Sequence, residues 1–245
     1  MNFKILTLFP EIILNGTDFS ILKRAKEKKI ITIEAYNIRD YTKNKHKKVD
    51  DYPYGGGFGM VMSPQPLYDA FQNIKSEKTK RVIYLTPQGK LFNQELAKEL
   101  SREEELVIIC GHYEGIDERI IDLIVTDEIS IGDYVLTGGE YAALILIDAI
   151  SRLVDGVIEK ESHRDESLEN WLLEYPQYTR PEEFMGLNVP SVLLNGNHKE
   201  IEKWRRIQRL KRTIKKRPDI IKKSKLSDSD MKLLIKYCEQ EKFMI

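Results

Sequence analysis

A chain of 245 residues with 41% apolar content can bury a real core, as one large domain or two modest ones. No apolar run approaches the roughly 20 residues a bilayer span needs, because Ala142–Ile147 is followed by Asp148 and then Arg152. With only Cys110 and Cys238, neither a disulfide framework nor a Cys-based zinc site can be built. The 39 Lys and Arg balance 39 Asp and Glu over the chain, yet residues 199–225 carry thirteen basic side chains against three acidic ones. A basic tail on a mildly acidic body points to a polyanionic partner.

Taken in order, residues 3–9 read as a strand, Phe19–Lys28 as a short amphipathic helix and Ile30–Tyr36 as a second strand, the spacing of a βαβ unit. The strand and proline at Met1–Pro10 lack a signal peptide's apolar core, so the cytoplasm is the default location. Asn37–Met62 has no periodicity, and its aromatics Tyr41, Tyr52, Tyr54 and Phe58 make it a functional loop rather than a disordered one. Pro64–Asn73 is expected to be a helix, Arg81–Leu85 a strand, Asn93–Leu100 a helix, Leu106–Cys110 a strand, Asp117–Leu123 a helical turn and Ile124–Ile129 a strand. Tyr141–Arg152 completes the series as a buried helix. Strands alternating with helices predict an α/β fold, a mostly parallel sheet with helices on both faces. Beyond it, Asp155–Trp171 reads as a polar linker, Lys199–Lys216 as a helix with Ile201, Trp204, Ile207, Leu210 and Ile214 in one stripe and its basic residues on the other face, and Ser227–Glu241 as a last helix capped by Ser227.

Ligands of parallel sheets sit beyond the C-terminal strand ends. Three such ends carry Tyr84–Gly89, Gly111–Gly115 and Ile131–Gly139, and one crevice can collect all three. Gly132, Gly138 and Gly139 permit a ligand to approach the main chain closely. From glycine spacing alone a simple strand-to-helix turn is equally admissible. No phosphate-cradling G-x-x-x-x-G-K-[ST] or G-x-G-x-x-G is present, no two of the four histidines stand at i, i+4, and no G-x-S-x-G elbow occurs.

Gly111-His-Tyr-Glu-Gly-Ile-Asp-Glu-Arg119 and Ser130-Ile-Gly-Asp-Tyr-Val-Leu-Thr-Gly-Gly-Glu140 closely resemble the bacterial tRNA (guanine-N(1)-)-methyltransferase family, members of the SPOUT methyltransferases. Leu8-Phe-Pro10, Val49–Met60, Tyr84–Gly89, Tyr178–Pro181, Val192–His198 and Trp204–Arg206 follow in the family's order. The resemblance implies that the sheet is tied in a deep trefoil knot and followed by a small helical domain. Residues 1–158 would form the knotted donor-binding domain, 159–170 a linker and 171–245 a basic tRNA-binding domain. The implied reaction is methylation of ring nitrogen 1 of the guanosine immediately 3′ of the anticodon in tRNA, with S-adenosyl-L-methionine as donor.

By the same resemblance the donor is held by Tyr84, Leu85, Thr86 and Pro87 from the first strand end, and by Gly111, Tyr113 and Glu114 from the second. The glycine loop adds Ser130, Ile131, Gly132, Asp133, Tyr134, Val135, Leu136, Gly138 and Gly139. Arg152, which on its own reads as a cation complementing a helix C-terminus, is assigned to charge building on the guanine carbonyl. The family's proton acceptor is an aspartate directly before Ser-Phe or Ser-Leu. Here Asp165-Glu166-Ser167-Leu168 puts Glu166 in that position with Asp165 just before it, so Glu166 is the expected base and Asp165 the reserve. Magnesium dependence, with Glu114 as a contributor, and a homodimer sharing each active site are further implications. The alternative is a noncatalytic RNA-binding protein on the same fold, marked by the Asp-to-Glu change.

Overall fold

The computed structural model of the protein describes residues 1–159 and 167–241. The chain divides into two compact units, Met1–Glu159 and Lys160–Ile245. In the first unit the elements run β1 (Asn2–Thr7), α1 (Pro10–Gly16), α2 (Ser20–Glu27), β2 (Thr32–Asn37), the short pair β3 (Asp50–Asp51) and β4 (Val61–Met62), α3 (Pro64–Ile74) and β5 (Thr79–Leu91). They continue with α4 (Gln94–Leu100), β6 (Glu105–Cys110), α5 (Glu118–Ile124), β7 (Asp127–Ser130) and α6 (Glu140–Ser151). Five strands form one sheet in the order β2-β1-β6-β5-β7, and every neighbouring pair is parallel.

A parallel sheet covered on both faces needs strands that are apolar on both sides, and β6, Glu-Leu-Val-Ile-Ile-Cys, is buried at every position. The pleat sends alternate side chains to opposite faces. Phe3, Ile5, Ile83, Leu85, Leu106 and Ile108 therefore pack with α1, α2, α4 and α6, while Leu6, Val82, Tyr84, Val107 and Ile109 pack with α3 and α5. Helix α6 contributes Ala142, Ala143, Leu146, Ile147 and Ile150 to the first face. Each fully buried Leu or Ile is worth roughly 1.5–3 kcal/mol, so this short helix is fixed by its packing rather than by propensity.

Three departures from the sequence expectation matter for the site. Pro10 opens α1 instead of merely ending β1, because a proline at the first helical position loses no hydrogen bond. The aperiodic loop contains the antiparallel pair β3 and β4, and Met62 bridges to Ile116. Strand β5 runs well past Leu85: both Leu85 and Lys90 stand opposite Ile129, so residues 86–89 bulge out of the ladder and the strand resumes beside β7.

The second unit holds a two-strand hairpin, β8 (Glu183–Phe184) with β9 (Leu187–Asn188), then α7 (His198–Lys216), α8 (Pro218–Ile221) and α9 (Asp228–Glu241). Leu172, Leu210 and Leu234 form its core with Ile214, Ile221, Leu226 and Leu233 packed against them. Asn197 caps α7 through a hydrogen bond from the Glu200 N–H. Ser227 and Asp230 cap α9 reciprocally: the Ser227 hydroxyl accepts the Asp230 N–H at 3.2 Å and the Asp230 carboxylate accepts the Ser227 N–H at 3.0 Å. The expected basic face of α7 is only partly available to a partner. Arg209 is buried and donates to the Leu173 carbonyl, and Arg206 forks onto Asp230 at 2.6 and 2.8 Å. Among the described residues no helix is long and apolar enough to cross a membrane.

Candidate active site

The C-terminal ends of β5, β6 and β7 open into one cavity of about 330 Å³. Its walls are the bulge of β5 at Tyr84–Gln88, the turn Gly111–Gly115 after β6, and Ile129–Gly139 leading into α6. These segments are tied to one another. Gly139 N–H donates to the Gly111 carbonyl at 3.0 Å, Glu114 N–H to the Met60 carbonyl at 3.0 Å, and Met62 N–H to the Gly115 carbonyl at 2.9 Å. The lining mixes apolar side chains such as Leu85, Ile129 and Leu136 with peptide groups and one carboxylate, Glu114. This is the composition of a pocket for a flat, partly polar small molecule.

Two glycines of the loop are small for reasons the sequence did not suggest. A Cβ on Gly139 would lie 2.7 Å from the Cys110 Cα, and one on Gly138 would collide with the His112 ring and the Glu140 carboxylate. Their missing side chains let the loop close onto β6 before any ligand is considered. Cys110 itself is fully buried, and burial, with the Glu140 charge second, pushes its thiol well up. It is a packing residue, not a nucleophile. Burial likewise raises Tyr84, so a neutral phenol stands in the cavity wall.

Residues 1–223 match the family tRNA (Guanine-1)-methyltransferase TrmD. A tRNA (guanine-N(1)-)-methyltransferase of Caldicellulosiruptor saccharolyticus is 69% identical over 245 residues, all of both chains. One of Clostridioides difficile is 60% identical over 228 residues, covering 91% of this chain and 99% of its own. One of Staphylococcus carnosus is 54% identical over 243 residues, covering 99% of each. This chain belongs to the tRNA (guanine-N(1)-)-methyltransferase family.

Membership of the tRNA (guanine-N(1)-)-methyltransferases implies S-adenosyl-L-methionine as methyl donor, and the cavity has the chemistry to take it. Apolar walls suit the adenine ring, peptide groups suit its edge, and Glu114 is the carboxylate available to a cationic amino acid moiety. Of the donor residues expected from sequence, Tyr84, Leu85, Thr86 and Pro87, then Gly111, Tyr113 and Glu114, all line the cavity. So do Ser130, Ile131, Gly132, Tyr134, Val135, Leu136, Gly138 and Gly139. Asp133 does not: it sits at the exposed tip of a tight turn in which Tyr134 N–H returns to the Gly132 carbonyl at 3.0 Å. Gln88, His112, Gly115, Ile129, Thr137 and Ala142 line the cavity as well. Four of these lie inside the strand-end loops already singled out in the sequence, and Ile129 and Ala142 lie outside them, in β7 and α6.

Of the expected catalytic residues, Arg152 is the one among the described residues, and it does not line the cavity. Arg152 caps the C-terminal end of α6, ten residues beyond the cavity-lining Ala142, hence roughly 15 Å away along the axis at 1.5 Å per residue. Glu166 and Asp165 lie outside the described residues. No cage for magnesium stands out either: among the described residues no three His, Cys, Asp or Glu side chains gather, and Glu114 is the only carboxylate in the cavity wall.

Proposed function

We propose that this chain methylates ring nitrogen 1 of the guanosine immediately 3′ of the anticodon in tRNA, using S-adenosyl-L-methionine held in the cavity at the ends of β5, β6 and β7. The observation that carries the reading is the cavity itself: the segments that wall it are those that resemble the family most closely. Bound there, the donor supplies an electrophilic methyl on a sulfonium. Guanine nitrogen 1 carries a hydrogen and is a poor nucleophile until it loses it. Glu166 takes that proton, with Asp165 as the reserve, and the new bond forms from nitrogen to the methyl carbon as the carbon–sulfur bond breaks. Negative charge grows on the neighbouring guanine carbonyl oxygen, where the Arg152 guanidinium stabilises it. The noncatalytic alternative finds no support in relatives that bear the enzyme's name across the full chain.

The position of Arg152 supports a site shared within a homodimer. A guanidinium at the far end of α6 cannot serve the cavity at the near end of the same helix without moving by roughly 15 Å. The cavity of a second copy sets no such distance. Tyr141 and Ile145 leave an exposed apolar strip on α6 suited to such a contact. The trefoil knot of the family is carried to residues 1–158, the tRNA-binding role to residues 171–245, and residues 159–170 form the linker. Phosphates are met by the exposed lysines of α7, Lys199, Lys203, Lys215 and Lys216, since Arg206 and Arg209 are engaged internally. A tRNA substrate accounts for a cytoplasmic protein. The magnesium dependence expected of the family would rest on Glu114 and the substrate's own oxygens, because Mg²⁺ is commonly held through one or two carboxylates with water completing its shell.

The test is a single-turnover transfer of labelled methyl from the donor to two unmodified transcripts that differ only in the nucleotide 3′ of the anticodon. The guanosine transcript is expected to accept one methyl at nitrogen 1 and the adenosine transcript none. Equal labelling of both, or of neither, contradicts the reading.

A further inference from the structure

Three segments far apart in the chain meet at one buried carboxylate that the reaction as described does not use. Glu140 opens α6 and is 2% exposed. Its Oε1 accepts the Thr7 hydroxyl at 2.5 Å, and its Oε2 lies 2.7 Å from His112 Nε2. Thr7 ends β1, is wholly buried, and its oxygen accepts the Phe9 N–H at 2.9 Å. The Phe9 ring in turn packs on the imidazole, with centroids 5.1 Å apart. Gly138 passes so close to the pair that any side chain there would strike both His112 and Glu140.

We propose that Glu140 is a positioning residue for the donor cavity, held by Thr7 on one side and fixing His112 on the other. The proposal rests on reading the cavity as the donor site. Burying a carboxylate costs several kcal/mol unless it is paired and hydrogen-bonded. The first turn of a helix offsets part of that cost by favouring an anion, and the two hydrogen bonds offset more. A carboxylate acceptor at Nε2 calls for a proton on that nitrogen, so the same contact sets the tautomer and the ring plane. Of Thr7, Glu140 and His112, only His112 lines the cavity. Among these three side chains the network therefore reaches the cavity through the imidazole and the turn Gly111–Gly115 that carries it, with Gly138 of the opposite wall packed against His112 and Glu140. Loosening any member frees that wall, and donor affinity falls although neither Thr7 nor Glu140 touches the donor.

Calorimetric titration of the full-length protein with S-adenosyl-L-methionine separates this from a simple structural staple. Thr7→Val keeps shape and loses the hydroxyl, and is expected to weaken donor binding about tenfold, within the range of coupling through a shared network. Thr7→Ser should restore wild-type affinity. His112→Phe should lose about as much as Thr7→Val, and the double variant no more than either alone. Should Thr7→Val fail to fold, Glu140→Gln takes its place, because it keeps the volume, removes the charge and is expected to show the same loss. Donor affinity unchanged in a folded Thr7→Val or Glu140→Gln protein overturns the proposal, as do additive losses in the double variant. Failure of the wild-type protein to bind the donor at all would instead overturn the donor reading beneath it.

Discussion

A methyl transfer to guanine turns on one proton, and Glu166, the residue proposed to take it, stands where the resemblance puts the family's aspartate. Glu166 stands directly before Ser167, with Asp165 one position earlier as the reserve. General-base contributions are on the order of a hundred- to ten-thousand-fold. Glu166→Gln should lose that much in single-turnover methylation while keeping donor and tRNA affinity, Glu166→Asp should be tolerated, and Asp165→Asn should cost far less. A reversed order of the two amide variants transfers the role to Asp165. The loop glycines invite a second substitution. Because a Cβ at Gly139 would press on the Cys110 backbone at 2.7 Å, Gly139→Val should destabilise the first unit by about 1–3 kcal/mol, the usual penalty of overpacking, in addition to weakening donor binding. Thermal unfolding with and without donor separates the two effects, and an unshifted midpoint would mean that the loop moves aside.

Individual elements carry charge effects that can be read separately. In the second unit, the Arg206 fork and the Ser227 cap hold the Asp230 carboxyl well below the usual carboxylate range. A depressed folded pKa gives stability that is fully present above the unfolded value, about 3.9, and is lost as pH falls through the folded one. Asp230→Asn should therefore destabilise this unit by about 1–3 kcal/mol near neutrality, as expected for a lost charged hydrogen bond, and should flatten its acid unfolding below pH about 4. An unchanged acid limb would remove Asp230 from that role. On the outer side of α7, changing Lys199, Lys203, Lys215 and Lys216 to Glu should lower the salt slope of log tRNA affinity by roughly 0.7–0.9 for each phosphate that the helix no longer neutralises. An unaltered slope would make the helix a solvated face only.

The sequence announced most elements because their signals are local. A continuous apolar run marked β6, an apolar stripe marked α7 and a cap marked α9. What it hid depends on tertiary partners. Pro10 reads equally well as the end of a strand or the start of a helix, and the buried Ile13 beneath α1 decides it. The resumption of β5 at Lys90 is set by pairing with β7, which no local pattern encodes. The polar residues of α7 do not reveal which arginines meet an aspartate two dozen positions away.

For the molecule as a whole, the cavity was legible because strand-end loops carry their motifs contiguously. The Thr7–Glu140–His112 network was not, because its members are 133 and 28 positions apart and meet only after folding. The proposed sharing of the site between two copies also belongs to this scale. Mixing subunits bearing Gly132→Val, which blocks the donor loop, with subunits bearing Glu166→Gln should restore about a quarter of wild-type sites, the random-pairing value for complementing dimers. No recovery would place the whole site within one chain. Whether the ends of β5, β6 and β7 hold the methyl donor against a tRNA guanine is decided by a crystal structure of the protein with a donor analogue and tRNA. The analogue is expected between Tyr84–Gln88, Gly111–Gly115 and Ile129–Gly139, with its sulfur side turned to the guanosine 3′ of the anticodon. Density for the analogue anywhere else, or a guanosine that does not approach it, would contradict this assignment of the cavity.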